Sequence, residues 1–531
     1  MLWWQRHGGR KCQRTGNCSG NRWRRARYTS RTRCARREGE HGETRESTVN
    51  AGDRTKDTER RSEDSVRLTH WQGQRGAMVE QHRERRATRR GEYTPSWRGV
   101  LLMGVVVMGT LACGSTPRPG PNDDPDDPRF RGRTVRPGIS VLLNDSVHLI
   151  KDKRVGLITN QTGVDEKGRS TVDLLFSDER ATKANAKLVA LFSPEHGIRG
   201  TEDRSNLPNE LDPKTGLMIY SLYQRSTMGP PDSTLRNVDV LVVDLQDIGT
   251  RTWTYVGVML YAMQAAERRG IPFLVLDRPN PLNGLRAEGA ILDSAIADAR
   301  ESTLESPRNG FSLWPVPLRH GLTMGEMAAL FHRELKMTGR LHVVPMTNWR
   351  RGMWFDDTDL PWVKPSPNLP TLKSALVYPA LVPFEATNVS VGRGTNDPFE
   401  RVGAPWFKAD SLKRLLDDLE LAGVRFQTER FSPRDPGDKK YDGQTIPGIR
   451  ITVTDRERLQ VGRLGAALLW AIAKAHGPAF TYTERRIDER LGSTAVRQAL
   501  IAGEDPDRVI DRQLQEIIRY EQSVRRYHLY R

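Results

Sequence analysis

The chain has 531 residues and a formal net charge of +17, and this length is enough for more than one domain. Residues 1–100 carry 25 Lys and Arg against 12 Asp and Glu, so the basic excess belongs mainly to this leader and we predict no nucleic-acid partner. All four cysteines, which are Cys12, Cys18, Cys34 and Cys113, precede residue 114, and this position excludes a disulfide, a cysteine nucleophile and a thiolate metal site from the rest of the chain.

The leader ends in a segment typical of export. Residues 1–99 are Arg-rich and lack apolar periodicity, which predicts disorder, and we predict that translation starts at Met78. Residues 100–113 form a short apolar run behind basic residues, which is the arrangement of a secretory signal and is short for a membrane span. The run ends like a bacterial lipoprotein cleavage box, with Thr110 where Leu is usual. We therefore predict an exported cell-envelope protein that faces the periplasm or the outside and is anchored to the membrane through lipidated Cys113; an ordinary cleaved signal that releases a soluble protein is the alternative.

Beyond the leader, apolar strands alternate with helices. Residues 114–134, rich in Pro, Gly, Asp and Arg, predict a flexible tether. Residues 135–375 contain predicted elements that are, in chain order, a strand 155–159, a helix 171–179 with Ser170 as N-cap, strands 188–192 and 238–245, a helix 255–269 ending at Gly270, a strand 273–276, a helix from Thr323 to about 335, and a strand 342–345. This alternation predicts an α/β, Rossmann-like domain with a mainly parallel sheet covered by helices on both faces.

The last part of the chain has a different pattern. Residues 376–531 predict a smaller α+β C-terminal auxiliary domain, with a helix near 411–421, a strand 449–454, a helix 459–475 and a final charged helix 505–526. Residues 365–406 combine prolines and aromatic residues with little periodicity. Loops of that length in compact domains are usually functional, so we predict a functional loop there.

Four of the predicted strands end in polar residues. In an open α/β sheet the carboxyl ends of the strands border the ligand crevice, so these groups are expected to share one polar crevice. They are Asn160 after the first strand, Glu195 and His196 after the second, Asp244 and Asp247 after the third with Arg251 beyond them, and Asp277, Arg278 and Asn280 after the fourth. No G-x-G-x-x-G follows the first strand and no Walker sequence occurs, so we predict no nucleotide cofactor. The aspartates and His196 lack a recognised metal-ligand spacing, and we predict no metal.

Glu195 lies in the most constrained of these turns. Its strand ends in Pro194, Glu195, His196 and Gly197, and proline and glycine restrict a backbone to few conformations. This constraint favours aimed proton-transferring groups over a merely solvated glutamate. The loop 365–406 offers a second carboxylate, Glu385. Two carboxylates that flank a polar cleft are the groups that glycoside hydrolysis requires.

Several contiguous stretches carry a resemblance to a known family. They are residues 155–163, 192–200, 244–249 with Arg251, 276–281, 319–321, 365–371 and 385–406. On these stretches the chain resembles the exo-β-N-acetylmuramidase family of peptidoglycan exo-hexosaminidases over about residues 138–531. The resemblance implies a Rossmann-like domain, a smaller C-terminal domain, an active site in a cleft, and release of N-acetylmuramic acid from the non-reducing ends of peptidoglycan fragments. Glu195 matches the family's proposed catalytic glutamate, and Val391 stands where the family often has Glu.

These observations together give a set of predicted site residues. The predicted catalytic residues are Glu195, His196, Asp247 and Glu385, with Glu195 as the general acid because its apolar strand desolvates it. The predicted substrate-binding residues are Asn160, Arg199, Arg251, Asp277, Arg278, Asn280, Asn368, Asn388 and Arg393. Among them Arg199, Arg278 and Arg393 are candidates for binding the lactyl carboxylate of the muramyl group. The alternatives are a non-catalytic cell-wall glycan-binding lipoprotein and a metal-dependent hydrolase.

Overall fold

A seven-stranded sheet organises the N-terminal part of the protein. The computed structural model describes residues 133–199, 207–222, 228–297 and 310–531; the export signal and Cys113 lie outside the described residues. The strands of this part are β1 (Arg154–Thr159), β2 (Lys187–Ser193), β3 (Glu210–Leu211), β4 (Met218–Ser221), β5 (Val240–Asp244), β6 (Phe273–Leu276), β7 (Glu288–Ile291), β8 (Pro317–Arg319) and β9 (Leu341–Val344). The sheet has the order β3-β4-β2-β1-β5-β6-β9, and β7 pairs with β8 separately.

The strand order explains why these strands are so apolar. All neighbours in the sheet pair in parallel except β3 with β4, and the six parallel strands follow the 3-2-1-4-5-6 order of a doubly wound fold. Side chains alternate between the two faces of a strand. In β5, Val240 and Val242 enter one apolar core while Leu241 and Val243 enter the other. The predicted Rossmann-like, mainly parallel sheet is therefore confirmed.

Helices cover both faces of this sheet. They are α1 (Gly138–Asp145), α2 (Thr171–Ser177), α3 (Glu179–Lys183), α4 (Tyr255–Arg269) and α5 (Met324–Glu334). A further helix, α6 (Leu372–Leu381), follows in the chain and packs mainly against a helix of the C-terminal part. Helices α1 to α3 contribute to one core, and α4 and α5 contribute to the other. The predicted cap at Ser170 is confirmed, because its side chain accepts a hydrogen bond from the amide of Val172. Gly270 ends α4 with a φ of 65°, a backbone conformation that glycine adopts readily.

The C-terminal part is a smaller α+β unit, as predicted. Its strands β10 (Arg401–Gly403), β11 (Val424–Phe431) and β12 (Ile446–Val453) form an antiparallel sheet in the order β10-β12-β11. Its helices are α7 (Ala409–Asp417), α8 (Val461–His476), α9 (Glu484–Leu491), α10 (Thr494–Ile501), α11 (Pro506–Asp511) and α12 (Leu514–Val524). Within the described ranges, no helix is long and apolar enough to cross a membrane.

Three predicted elements are corrected by the structure. The predicted loop 365–406 contains α6, a 3₁₀-helix Val382–Ala386 and β10; α6 carries Pro379 in its interior, and proline normally argues against a helix. The predicted helix 505–526 is divided into α11 and α12. The predicted helix 171–179 ends at Ser177, because Asp178 is extended and its side chain caps α3 instead.

Candidate active site

The four polar strand ends do lie at one edge of the sheet, because β2, β1, β5 and β6 are consecutive neighbours there. Much of this edge is closed by bonds between the strand ends themselves. The hydroxyl of Thr159 donates to the backbone oxygen of Asp244 at 2.8 Å, and Arg278 pairs with the carboxylate of Asp244, with Nη2 3.0 Å from Oδ2. Arg278 and Asp244 are both buried. The switch point between β1 and β5 is therefore bound together by protein groups, and the candidate site lies at the end of β2.

Glu195 follows β2 in a turn whose next two residues, His196 and Gly197, have φ angles of 72° and 73°. The hydroxyl of Thr254 donates to Oε2 of Glu195 at 2.9 Å. A φ near 70° is uncommon for a residue with a Cβ atom, so the turn is held by its surroundings. The strand end and this turn direct the carboxyl group of Glu195 towards Thr254, the residue directly before α4.

The environment of Glu195 favours its neutral form. Burial is the main cause that raises the pKa of Glu195, and the negative charge of Glu385 raises this pKa further. The charge of His196, the hydrogen bond from Thr254 and the charge of Arg393 act in the opposite direction, and burial prevails. A carboxyl group whose pKa is raised keeps its proton to higher pH than an exposed glutamate does, and so it is suited to donate that proton as a general acid.

The environment of Glu385 favours the charged form. Glu385 lies in the 3₁₀-helix Val382–Ala386, and Arg393 donates to its Oε1 from Nε at 2.9 Å and from Nη2 at 2.5 Å. Nε of Arg490 lies 3.9 Å from the other oxygen, Oε2. Burial acts to raise the pKa of Glu385, but the charges of Arg393, Arg490 and Lys440 together lower it below its usual value. Glu385 is therefore an anion held by cations.

Glu195 and Glu385 are 190 residues apart in the chain, yet their charges interact. The N-terminal part supplies the acid with the raised pKa, and the C-terminal part supplies the anion. Pairs of titratable groups whose environments separate their pKa values mark the acid and the base or nucleophile of an active site. The structure thus brings together Glu195, His196, Glu385 and Arg393 from the predicted set.

Aromatic rings line the region between the two glutamates. Trp253 makes edge-on contacts with Tyr255 and Tyr378, with ring centroids 5.3 and 5.8 Å apart. The hydroxyl of Tyr255 donates to the backbone oxygen of Pro365 and accepts a hydrogen bond from Asn160, both at 2.8 Å. The charge of Glu195 acts on Tyr255, and that of Glu385 acts on Tyr378. The predicted residue Asn160 therefore orients a tyrosine that borders Glu195.

Asp247 is placed in a separate buried pair. Its Oδ2 accepts a hydrogen bond from the amide of Gly249 at 2.6 Å and lies 3.4 Å from Nε2 of His320. The amide of Leu322 donates to Nδ1 of His320, so Nε2 is the ring nitrogen that faces Asp247. This pair fixes the segment between β5 and α4, and the contacts of Asp247 in the described residues are to this segment and to His320 rather than to Glu195.

Arg251 connects the two parts of the protein. It is only 4% exposed, and its guanidinium donates to the backbone oxygens of Phe311, Glu489 and Arg490 at 2.8 to 2.9 Å. Two of these oxygens belong to the last turn of α9, where a helix has unsatisfied carbonyl groups and a negative partial charge. Arg251 is predicted to bind substrate, and in the structure both of its Nη groups donate to the protein backbone instead.

The other predicted binding residues are bonded to protein groups as well. Asp277 accepts hydrogen bonds from four groups and Asn280 bonds the segments around Leu282 and Leu322. Arg199 pairs with Asp212, and the side chain of Asn388 bonds the backbone of residues 479–481. Asn368 is buried in the turn after Pro365. Within the described ranges, no three His, Cys, Asp or Glu side chains converge as metal ligands do.

Sequence reasoning missed five residues that border the two glutamates, namely Thr254, Tyr255, Tyr378, Lys440 and Arg490. Thr254 and Tyr255 directly follow the polar segment after β5, and their position at a helix start was the one signal that could have identified them. Lys440 and Arg490 lie far along the chain in charged stretches that have the composition of a solvated surface. The fold, rather than any local pattern, brings these two cations to Glu385.

An acid with a raised pKa opposite an ionised carboxylate, in a site lined by aromatic rings, is the arrangement of a glycoside hydrolase. Comparison with known proteins agrees. The family described as "Exo-beta-N-acetylmuramidase NamZ, N-terminal" matches residues 155–373, and "Exo-beta-N-acetylmuramidase NamZ, C-terminal" matches residues 376–530. The chain belongs to the exo-β-N-acetylmuramidase NamZ family and is a glycoside hydrolase.

Individual relatives extend this likeness over most of the chain. The "Peptidoglycan beta-N-acetylmuramidase NamZ" of Bacillus subtilis (strain 168) is 38% identical over 432 residues, which cover 81% of this chain and 98% of the relative. Two crystal structures of DUF1343 family proteins from Bacteroides fragilis NCTC 9343 are 31% and 26% identical, with TM-scores of 0.65 and 0.58. Each covers 75% of this chain and matches over 99% of its own length. The family resemblance seen in the sequence is thereby confirmed.

Proposed function

We propose that this enzyme releases N-acetylmuramic acid from the non-reducing ends of peptidoglycan fragments. The observation that carries the proposal is that two interacting carboxyl groups have pKa values shifted in opposite directions: the pKa of Glu195 is raised and that of Glu385 is lowered. The Bacillus subtilis relative, by its name a peptidoglycan β-N-acetylmuramidase, supports the choice of substrate. Hydrolysis of a glycosidic bond requires a proton for the leaving oxygen and a negative charge near the anomeric carbon, and this pair supplies both.

In this mechanism Glu195 donates its proton to the glycosidic oxygen as the bond to the anomeric carbon breaks. The sugar ring then gains positive charge, which the ionised Glu385 stabilises from the C-terminal part of the site. Water adds to the anomeric carbon and releases a proton, which restores the acid form of Glu195. Arg393 keeps Glu385 ionised and fixes its orientation through two hydrogen bonds to Oε1. His196, directly beside the acid, carries a charge that lowers the pKa of Glu195 and so keeps its proton transferable.

The charge around Glu385 supports a substrate that is itself an anion. Arg393, Lys440 and Arg490 all act on Glu385, and Lys440 also pairs with Asp438 at 3.6 Å, so three cations face two carboxylates and positive charge remains in excess. The lactyl group of N-acetylmuramic acid carries a carboxylate, and guanidinium groups match carboxylate geometry. Of the three arginines predicted to bind this group, Arg393 is beside the two glutamates, whereas Arg199 and Arg278 pair with Asp212 and Asp244.

Replacement of the acid tests the proposal. We expect Glu195→Gln to reduce hydrolysis of a MurNAc–GlcNAc disaccharide by about 10²- to 10⁴-fold, the usual contribution of a general acid. Release of muramic acid is measured by liquid chromatography, with and without a chelator, because loss of activity to chelator would indicate metal-dependent hydrolysis instead. Glu210→Gln, at an exposed glutamate of β3, is the matched control and keeps its activity. A folded Glu195→Gln enzyme with undiminished turnover would remove Glu195 as the acid.

We also propose that the enzyme is exported as a lipoprotein anchored at Cys113. Support comes from the sequence pattern of residues 100–113, which resembles a secretory signal followed by a lipoprotein cleavage box. Export would bring the enzyme to the compartment that contains its substrate. Metabolic labelling with an alkyne fatty acid is expected to mark the wild-type protein and not Cys113→Ala; equal labelling of both would rule out this anchor.

A further inference from the structure

Thr254 departs from the usual behaviour of a threonine at the start of a helix. An N-cap threonine normally has an extended backbone and uses its side-chain oxygen to accept a hydrogen bond from the helix, as Thr323 does at α5. Thr254 precedes α4, but its φ and ψ of −67° and −16° are already helical and its side chain makes no cap. Its hydroxyl donates to Oε2 of Glu195 instead. The helix forgoes a cap worth about 1 kcal/mol, and the carboxyl group gains a donor.

The structure fixes the direction of this hydroxyl. Thr254 is 5% exposed, and a β-branched side chain has few accessible χ1 rotamers. Its methyl side faces the backbone of Gly310, where an added Cβ would lie 3.4 Å from Cγ2 of Thr254. Tyr255 and Val256, which follow in α4, are buried in the apolar core. The hydroxyl of Thr254 is thus held in a fixed position at the start of α4, within hydrogen-bond distance of Glu195.

This contact distinguishes the two oxygens of Glu195. A neutral carboxyl group has one oxygen that carries the proton and one that is an acceptor. Because Thr254 donates to Oε2, Oε2 is the acceptor and the proton is left to Oε1. A general acid is effective only when its proton points at the leaving atom in the reactive complex.

We propose that Thr254 is a positioning residue that assigns the acidic proton of Glu195 to Oε1 and so aims it at the glycosidic oxygen. The inference rests on the proposed function, because it requires Glu195 to be the acid. Thr254 acts through Glu195 and does not itself contact the bond that breaks. The same hydrogen bond also favours the charged form of Glu195, so it makes the proton both correctly placed and easier to transfer.

The test uses the full-length enzyme and two substrates with different leaving groups. We expect Thr254→Val, which keeps the side-chain shape, to lower kcat/KM on MurNAc–GlcNAc by about 10- to 100-fold, as expected for a lost hydrogen bond to a carboxyl group. On 4-nitrophenyl N-acetylmuramide the loss is expected to be about threefold or less, because nitrophenolate departs with little help from an acid. Thr254→Ser, which retains the hydroxyl, restores most of the activity.

The pH profile supplies a readout that a purely structural role would not change. Removal of the hydroxyl raises the pKa of Glu195, so the basic limb of kcat/KM moves to higher pH in Thr254→Val and returns in Thr254→Ser. Ser170→Ala, which removes an ordinary cap from α2, leaves the limb in place. Equal losses on both substrates with an unmoved limb, or no loss at all, would overturn the inference. If the wild-type enzyme cleaves neither muramide, the proposed function itself fails, which is a separate outcome.

Discussion

The surroundings of two chemically identical side chains shift their pKa values in opposite directions: that of Glu195 is raised and that of Glu385 is lowered. Burial is the main influence on Glu195, whereas Glu385, whose side chain is 12% exposed, has Arg393, Arg490 and Lys440 close enough to stabilise its negative charge. Burial alone would make both neutral, and two neutral acids could not provide the anion that the reaction requires. The cations around Glu385 are therefore as necessary to the division of roles as the glutamates are.

This dependence leads to a prediction for Glu385→Gln. The negative charge of Glu385 raises the pKa of Glu195, and the charge of Arg393 lowers it. Removing the charge of Glu385 while that of Arg393 remains therefore lowers the pKa of Glu195. We expect turnover to fall by about 10²-fold or more, and the basic limb of the residual kcat/KM profile to move to lower pH. This direction is opposite to that expected for Thr254→Val.

A pH series of kcat/KM on MurNAc–GlcNAc measures this shift, with Glu420→Gln at an exposed position as the control that keeps the wild-type profile. An unchanged or raised limb in a folded Glu385→Gln enzyme would show that the two carboxyl groups do not interact.

Helix α9 joins the site to the N-terminal part of the protein. Its residue Arg490 lies beside Glu385, and its last carbonyl groups accept hydrogen bonds from Arg251. The backbone of Gly492 just beyond the helix leaves little space, since an added Cβ would lie 2.8 Å from Nη2 of Arg251. The guanidinium of Arg251 thus takes the place of water as the donor to the last carbonyl groups of α9. The helix, held in this way, keeps Arg490 beside Glu385.

We predict that Arg251→Met removes the hydrogen bonds that join α9 to the N-terminal part. Three backbone oxygens lose their donors, at about 1–3 kcal/mol for each one left unsatisfied. Removal of a buried charge offsets part of this cost, because burial lowers the pKa of Arg251 to about 9. The net loss in the free energy of unfolding is expected to be about 2–4 kcal/mol, measured by urea denaturation, with kcat reduced because Arg490 is no longer fixed beside Glu385.

The same substitution at Arg485 of α9, which pairs with Glu489 and whose side chain is 73% exposed, provides the matched control. Exposed ion pairs contribute about 1 kcal/mol or less. An Arg251→Met loss no larger than that of Arg485→Met would mean that the link does not hold the helix.

The elements that were predicted correctly are those with a strong local pattern. Strand β5 is apolar up to its last residue, Asp244, and α4 ends at a glycine, so neither prediction required knowledge of the rest of the chain. Helix α6 was missed because Pro379 breaks the usual pattern. The proline is tolerated because α6 is surrounded by apolar residues of both parts of the protein, and such a tertiary contact overrides local propensity.

The candidate site divides in the same way. Glu195 and Glu385 could be predicted from the sequence, because one lies in a turn of proline and glycine and the other in a segment of little periodicity. Both also lie in stretches that resemble the family. The residues that set their pKa values are less visible, because Arg490 and Lys440 come from distant segments and act through space. Asp277 and Arg278, by contrast, look like site residues at a strand end but are used to join β5, β6 and α5.

At the scale of the whole molecule, the chain end returns to the N-terminal sheet. The amide of Leu529 donates to Glu326 and the backbone oxygen of Arg531 accepts from the amide of Arg351. The hydroxyl of Tyr530 donates to Oδ2 of Asp277 at 2.6 Å and accepts from the amide of Met346 at 3.0 Å. The last residues of the C-terminal part are thus bonded to the carboxyl end of β6, so the two parts are joined at this point as well as through α9.

This closure makes the stability of the protein depend on pH in a defined direction. Burial raises the pKa of Asp277 to about 6, while in an unfolded chain an aspartate titrates near pH 3.9. Between these values the folded state retains a proton that the unfolded state has lost. The stabilisation from this proton is present below about pH 4 and is lost as the pH rises to about 6. Above that, the charged Asp277 relies on its donors, of which Tyr530 is one.

Tyr530→Phe tests this arrangement. The hydrogen bond from Tyr530 lowers the pKa of Asp277, so it stabilises the charged form more than the neutral form. We therefore expect the substitution to reduce the free energy of unfolding by about 1–3 kcal/mol at pH 8 and by less at pH 5, where Asp277 is mostly protonated in the folded state. Tyr527→Phe removes a bond from a buried tyrosine to the exposed carboxylate of Glu334 and is expected to cost the same amount at both pH values. Urea denaturation of the two variants at pH 5 and pH 8 decides the matter: an equal cost of Tyr530→Phe at both would show that Tyr530 does not sense the charge of Asp277.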